Sequence, residues 1–95
     1  MTKNILIAED DEDIVGLLRL YLEKDGYKVI SVDNGEDAFK IVKNSQISLA
    51  LLDIMMPKMN GYELTKKIRE ITNIPIIILP AKTLDSEKIL GLVLS

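Results

Sequence analysis

The chain has no cysteine and no histidine among its 95 residues. Without cysteine there is neither a disulfide framework nor a thiolate zinc site. Without histidine no phosphohistidine and no His-dependent nucleophilic triad can be assembled, so histidine chemistry has to come from a partner. Gly-x-x-x-x-Gly-Lys-Ser/Thr and Gly-x-Gly-x-x-Gly are both missing, which leaves nucleotide binding without support. No signal-peptide pattern is present and no apolar run reaches the roughly eighteen residues of a membrane span, so a soluble, cytoplasmic protein is expected. Basic residues are in the minority, and the formal charge of −3 argues against nonspecific binding to nucleic acid. What is present is a globular composition, 47% hydrophobic and 28% charged, which excludes a disordered chain. The length suits one domain with little stability to spare.

Short apolar runs alternate with helical patterns, with no linker, repeat or low-complexity tract between them. Ile5 to Ala8 and Leu49 to Leu52 read as buried parallel strands. Between them, Ile14, Leu17, Leu18, Tyr21 and Leu22 recur at helical spacing, with Gly26 placed to end the helix. Tyr27 to Val32 reads as a second strand, Asp33-Asn34-Gly35 as a turn, and Glu36 to Lys43 as a short helix burying Ala38, Ile41 and Val42. A third helix from Gly61 carries Leu64, Ile68 and Ile71 on one face, and Pro75 to Leu79 forms a fourth strand. Thr83 to Leu94 reads as a last helix capped by Thr83. Right-handed crossovers turn this order into an α/β fold with a flavodoxin-like parallel sheet in the order 2-1-3-4.

Glu9 and Asp10 follow the first strand and Asp53 follows the third. The carboxyl ends of adjacent strands in such a sheet line one crevice, where these acids would converge on a hard divalent cation and leave Asp53 as a nucleophile. A plainer role competes: Asp10 or Asp11 caps the following helix. Crowded carboxylates without metal should repel and raise at least one pKa. Gly61 reads either as a helix-start glycine or as a site of positive φ or close packing, and Pro57 as a stiffener of its loop.

The runs Ile5-Leu6-Ile7-Ala8-Glu9-Asp10-Asp11-Glu12, Leu51-Leu52-Asp53-Ile54-Met55-Met56-Pro57-Lys58-Met59-Asn60-Gly61, and Ile74-Pro75-Ile76-Ile77-Ile78-Leu79 with Ala81 resemble the receiver domain of bacterial two-component response regulators. The closest pattern is that of receivers preceding a winged-helix (OmpR-like) DNA-binding domain. The resemblance covers the whole chain, and it implies transcription control in the full-length family. It also implies that Asp53 is the phosphoacceptor, that Glu9, Asp10 and Asp53 with the Met55 carbonyl hold Mg²⁺ or a similar ion such as Mn²⁺, and that a sensor histidine kinase is the partner.

Two departures stand against this pattern. Pro80 occupies the place of the Ser or Thr whose hydroxyl binds the phosphoryl group, and proline offers neither hydroxyl nor amide proton. Ala81 and Lys82 remain as neighbours of the phosphoryl group, and Lys82 is a candidate to place an ammonium beside it. The chain also stops at Ser95, so residues 1–95 are expected to form a receiver lacking the fifth strand, its Lys-Pro pair and the fifth helix, with no effector domain. That exposes the fourth strand and an apolar last helix, and a homodimer or strand-exchanged assembly is expected. Alternatives are a phosphorylation-independent interaction module and an aspartyl-nucleophile phosphohydrolase. The latter needs Asp-x-Asp-x-Thr after the first strand, and here no threonine follows Asp11-Glu12-Asp13. A conventional enzyme is therefore not expected.

Overall fold

The computed structural model describes residues 3–79. Four parallel strands, β1 (Asn4–Ala8), β2 (Lys28–Val32), β3 (Leu49–Asp53) and β4 (Ile76–Leu79), lie in the order β2-β1-β3-β4. Three helices connect them: α1 (Glu12–Lys24), α2 (Gly35–Asn44) and α3 (Gly61–Arg69). The expected fold class and strand order are thus present. Pro80, Ala81, Lys82 and the expected last helix lie outside the described residues.

Strand periodicity divides the core. Leu6, Ala8, Ala50 and Leu52 face Ala38 and Val42 of α2 and Leu64 and Ile68 of α3. Ile5, Ile7, Val29 and Leu51 face the other way, against Val15, Leu18 and Leu22 of α1. The two central strands are buried over four of their five residues, which explains why they read as unbroken apolar runs.

Each of the three helices differs in one respect from expectation. Gly35 is the first residue of α2, because Asn34 leaves the turn to cap the helix, accepting the Asp37 N–H at 2.9 Å. α3 ends at Arg69, leaving Ile71 48% exposed instead of on the buried face. The apolar stripe of α1 is rotated: Tyr21 is 55% exposed, and Val15 joins Leu18 and Leu22 against the sheet. Its ends match expectation, with Asp11 accepting the Asp13 and Ile14 N–H groups and Gly26 at φ +91° just beyond it.

All three helices run antiparallel to the strands, and each opens on acid and closes on base. Glu12 and Asp13, Glu36 and Asp37, and Glu63 sit in the first turns; Lys24, Lys43, and Lys66, Lys67 and Arg69 sit in the last. These charges complement each helix dipole. Because the helices share one direction, the acidic ends gather where the strands finish.

Candidate functional site

The β1–β3 register pairs Ala8 with Leu52, so the next residues along both strands emerge side by side at the same edge of the sheet. Glu9, Asp10 and Asp53 meet there, with one carboxylate oxygen from each lying within 4.8 Å of the others. Asp53 is fully buried and Glu9 is 3% exposed. The Glu9 Oε1 accepts the Asp11 N–H at 3.0 Å, and the Asp53 Oδ1 accepts the Met55 N–H at 3.2 Å. These local bonds aim the carboxylates before any ligand arrives. Asp11, not Asp10, is the helix cap, which leaves Asp10 to join the cluster.

Burial lifts the Glu9 carboxyl to about 7 from its usual 4.5, with the neighbouring Asp53 and Asp10 adding to the rise and the Asp11 N–H opposing it. Among the described residues no hydrogen-bond donor reaches the buried Glu9 Oε2. A buried acceptor left in this state is costly unless something positive approaches it. Oxygen ligands spaced this closely fit a small, hard divalent ion, for which carboxylates and main-chain carbonyls are the preferred donors. A polar cleft of about 600 Å³ opens beside Glu9 and Asp10, with Arg19, Asp33 and Asp37 among its walls.

The loop from Ile54 to Asn60 joins Asp53 to α3, and backbone packing holds it. Gly61 gives its N–H to the Ile54 carbonyl at 3.0 Å. A Cβ at Gly61 would lie 2.5 Å from the Asp53 carbonyl oxygen, so close packing is the reason for this glycine. Lys58, with φ +69°, sits at the centre of a three-residue turn closed by the Met59 N–H on the Pro57 carbonyl at 2.8 Å. Met55 is 62% exposed at the rim, and Met56 is buried in the core. Sequence reasoning expected the convergence of the three acids and the close packing at Gly61. It missed Asn34, Gly35 and Lys58, although Asn-Gly before a helical pattern is a recognisable capping signal.

The family model for the response regulator receiver domain matches residues 5–93. Response regulator GtcR of Aneurinibacillus migulanus is 45% identical over 92 residues, which cover 97% of this chain and 38% of that protein. The alkaline phosphatase synthesis transcriptional regulatory protein PhoP of Bacillus subtilis is 42% identical over 93 residues, 97% of this chain and 39% of the relative. The chain therefore spans about two-fifths of the length of these curated relatives. Among solved structures, a CheY-like receiver domain from Methanospirillum hungatei superposes with a TM-score of 0.82 at 28% identity, covering 98% of this chain and 75% of that one. The receiver domain of sensor histidine kinase PA1611 from Pseudomonas aeruginosa, whose active-site cleft coordinates magnesium, gives 0.79 at 28% identity, covering 93% and 75%. With a family match along nearly its full length and a sheet, strand order and acidic cleft to go with it, the chain belongs to the response regulator receiver domain family.

Proposed function

We propose that this chain accepts a phosphoryl group on Asp53 from a sensor histidine kinase, using Mg²⁺ or Mn²⁺ held by Glu9, Asp10, Asp53 and the Met55 carbonyl. The observation that carries this reading is the convergence of three carboxylates from two strand ends, one of them with a buried oxygen that no donor among the described residues reaches. Bringing an anionic phosphoryl donor to a carboxylate requires charge neutralisation, which a bound divalent cation supplies. The chain's own part is positional. Asp53 is the nucleophile, one of its oxygens held by the Met55 N–H. Glu9 and Asp10 bind the ion, and burial of Glu9 makes that binding favourable by relieving a charge kept from water. The family's role in transcriptional control, named in the relatives, applies to the longer protein of which this domain would be the input module, placed in the cytoplasm. Self-association is a further element of the reading: among the described residues β4 pairs with β3 alone, and Ile77 is 51% exposed. A single monomeric mass in light scattering over a wide concentration range counts against that element.

Incubation with Mg²⁺ and a small acyl-phosphate donor should add the mass of one phosphoryl group, and chelation should prevent it. Asp53→Asn should abolish the gain while leaving the fold intact by circular dichroism. A gain that persists in Asp53→Asn refutes the assignment. No gain in the wild-type chain favours the interaction-module reading instead, to which Pro80 already points.

A further inference from the structure

Two glycines from different elements press on the same loop. At its end, Gly61 lies against the Asp53 backbone. Near its middle, Gly35 at the start of α2 lies so close to Met59 that an added Cβ would collide with the Met59 carbonyl oxygen and come 2.6 Å from its Cβ. The second contact is long-range and involves no ionisable group.

The start of α2 is poorly able to retreat. Asn34 is 6% exposed, accepts the Asp37 N–H, and donates to Asp33 Oδ1 at 2.8 Å and Asp37 Oδ2 at 3.0 Å. Behind it, Ala38 and Val42 are set in the core. The loop is the softer partner, yet Lys58, immediately before Met59, holds a left-handed backbone conformation that costs a side-chain-bearing residue about 1 kcal/mol. Such a conformation persists only where the surroundings impose it. Gly35 meets the next residue of this loop, Met59.

We infer that Gly35 is a positioning residue for the metal centre: by meeting the Met59 backbone without a side chain, it lets α2 seat the loop that carries Met55 and is continuous with Asp53. This inference rests on the proposed ligation by Asp53 and Met55. It extends that reading to a residue on another helix that touches none of the ligands.

The test is Mg²⁺ titration of the wild-type chain and of Gly35→Ala, followed by amide NMR, with Lys40→Ala, at an exposed position of the same helix, as control. Gly35→Ala should shift the amides of residues 54–60 before metal is added and weaken Mg²⁺ binding roughly tenfold or more, as loss of a supporting contact does at other metal sites. Lys40→Ala should do neither. A merely structural role for Gly35 would lower the melting temperature while leaving the Mg²⁺ affinity of the folded fraction and the loop amides unchanged, and that result overturns the inference. If Gly35→Ala does not fold, Met59→Gly removes the Cβ half of the contact without adding an atom. It should accelerate amide exchange over residues 55–59 and weaken Mg²⁺, and unchanged affinity again overturns the inference. A wild-type chain that does not bind Mg²⁺ at all refutes the metal centre itself, and the role of Gly35 with it.

Discussion

Glu9 concentrates the conflict built into this site, because a carboxylate at 3% exposure sits beside two other acids and has lost its water. Its folded-state pKa of about 7 lies above the usual 4.5, so between these values the folded chain holds a proton that the unfolded chain has released. Stability of the metal-free protein from this source is therefore complete below about pH 4.5 and is lost as the pH rises through about 7. The loss should be on the order of 3 kcal/mol, measurable by urea denaturation in chelator. Glu9→Gln should flatten that pH profile and raise metal-free stability at pH 8, while weakening Mg²⁺ binding. Lys58→Gly should have a separate effect: removing the left-handed penalty at φ +69° raises the melting temperature slightly, by a gain below about 1 kcal/mol once glycine's extra unfolded-state entropy is subtracted. Of these two residues, only Glu9 was legible in the sequence. An acid following an apolar strand announces a crevice, whereas a positive φ at lysine leaves no mark in residue type: it belongs to the turn that the Met59 N–H closes on the Pro57 carbonyl.

At the level of elements, β2 is an edge strand whose outward carbonyls need a partner. Arg19 of α1 supplies it, donating from Nη1 to the Val29 carbonyl at 3.3 Å and from Nη2 to Ser31 Oγ at 2.9 Å. Its ion pair with Glu23 at 3.4 Å is half in solvent and contributes little. Arg19→Ala should therefore cost about 1 kcal/mol per lost bond in thermal denaturation, whereas Glu23→Ala should be nearly neutral. Arg19→Lys should not restore stability, because an ammonium cannot span both acceptors as the guanidinium fork does. Equal effects of Arg19→Ala and Glu23→Ala would show that the ion pair, not the strut, matters. The existence and order of the elements were readable because β1 and β3 are apolar on both faces and the helices carry clear periodicity. The orientation of α1 was not. Seven apolar residues on a thirteen-residue helix define a broad stripe, and which side of it meets the sheet is decided by Ile5, Ile7 and Val29 opposite. Ile71 was misplaced for a related reason: helical spacing was carried past Arg69, where α3 ends and only the closing turn of Glu70, Ile71 and Thr72 N–H groups on the Lys67 and Ile68 carbonyls follows.

For the molecule as a whole, parallel winding gathers the positive ends of three helix dipoles, and the acids that offset them, at one end of the sheet. Acid collects at the metal end and base at the other, across a body measuring 34 × 31 × 21 Å. The screening length is about 30 Å at 0.01 M salt and about 10 Å at 0.1 M, so at low salt the site feels every helix and at higher salt only its neighbours. Mg²⁺ affinity should fall several-fold from about 0.01 M to about 0.1 M salt by isothermal titration. The double variant Glu36→Gln, Glu63→Gln should lose much of that salt dependence while changing affinity little at 0.1 M; an unaltered dependence would confine the effect to the three site acids.

The same lopsidedness governs how the protein meets a charged support. A chain with a formal charge of −3 should pass through a negatively charged resin, yet the run of lysines and Arg69 at its far end offers one face that can adhere. On such a resin the molecules would stand with the metal cleft outward and still titrate with Mg²⁺. On a positively charged resin they would lie cleft down, with the ion's route blocked by the beads.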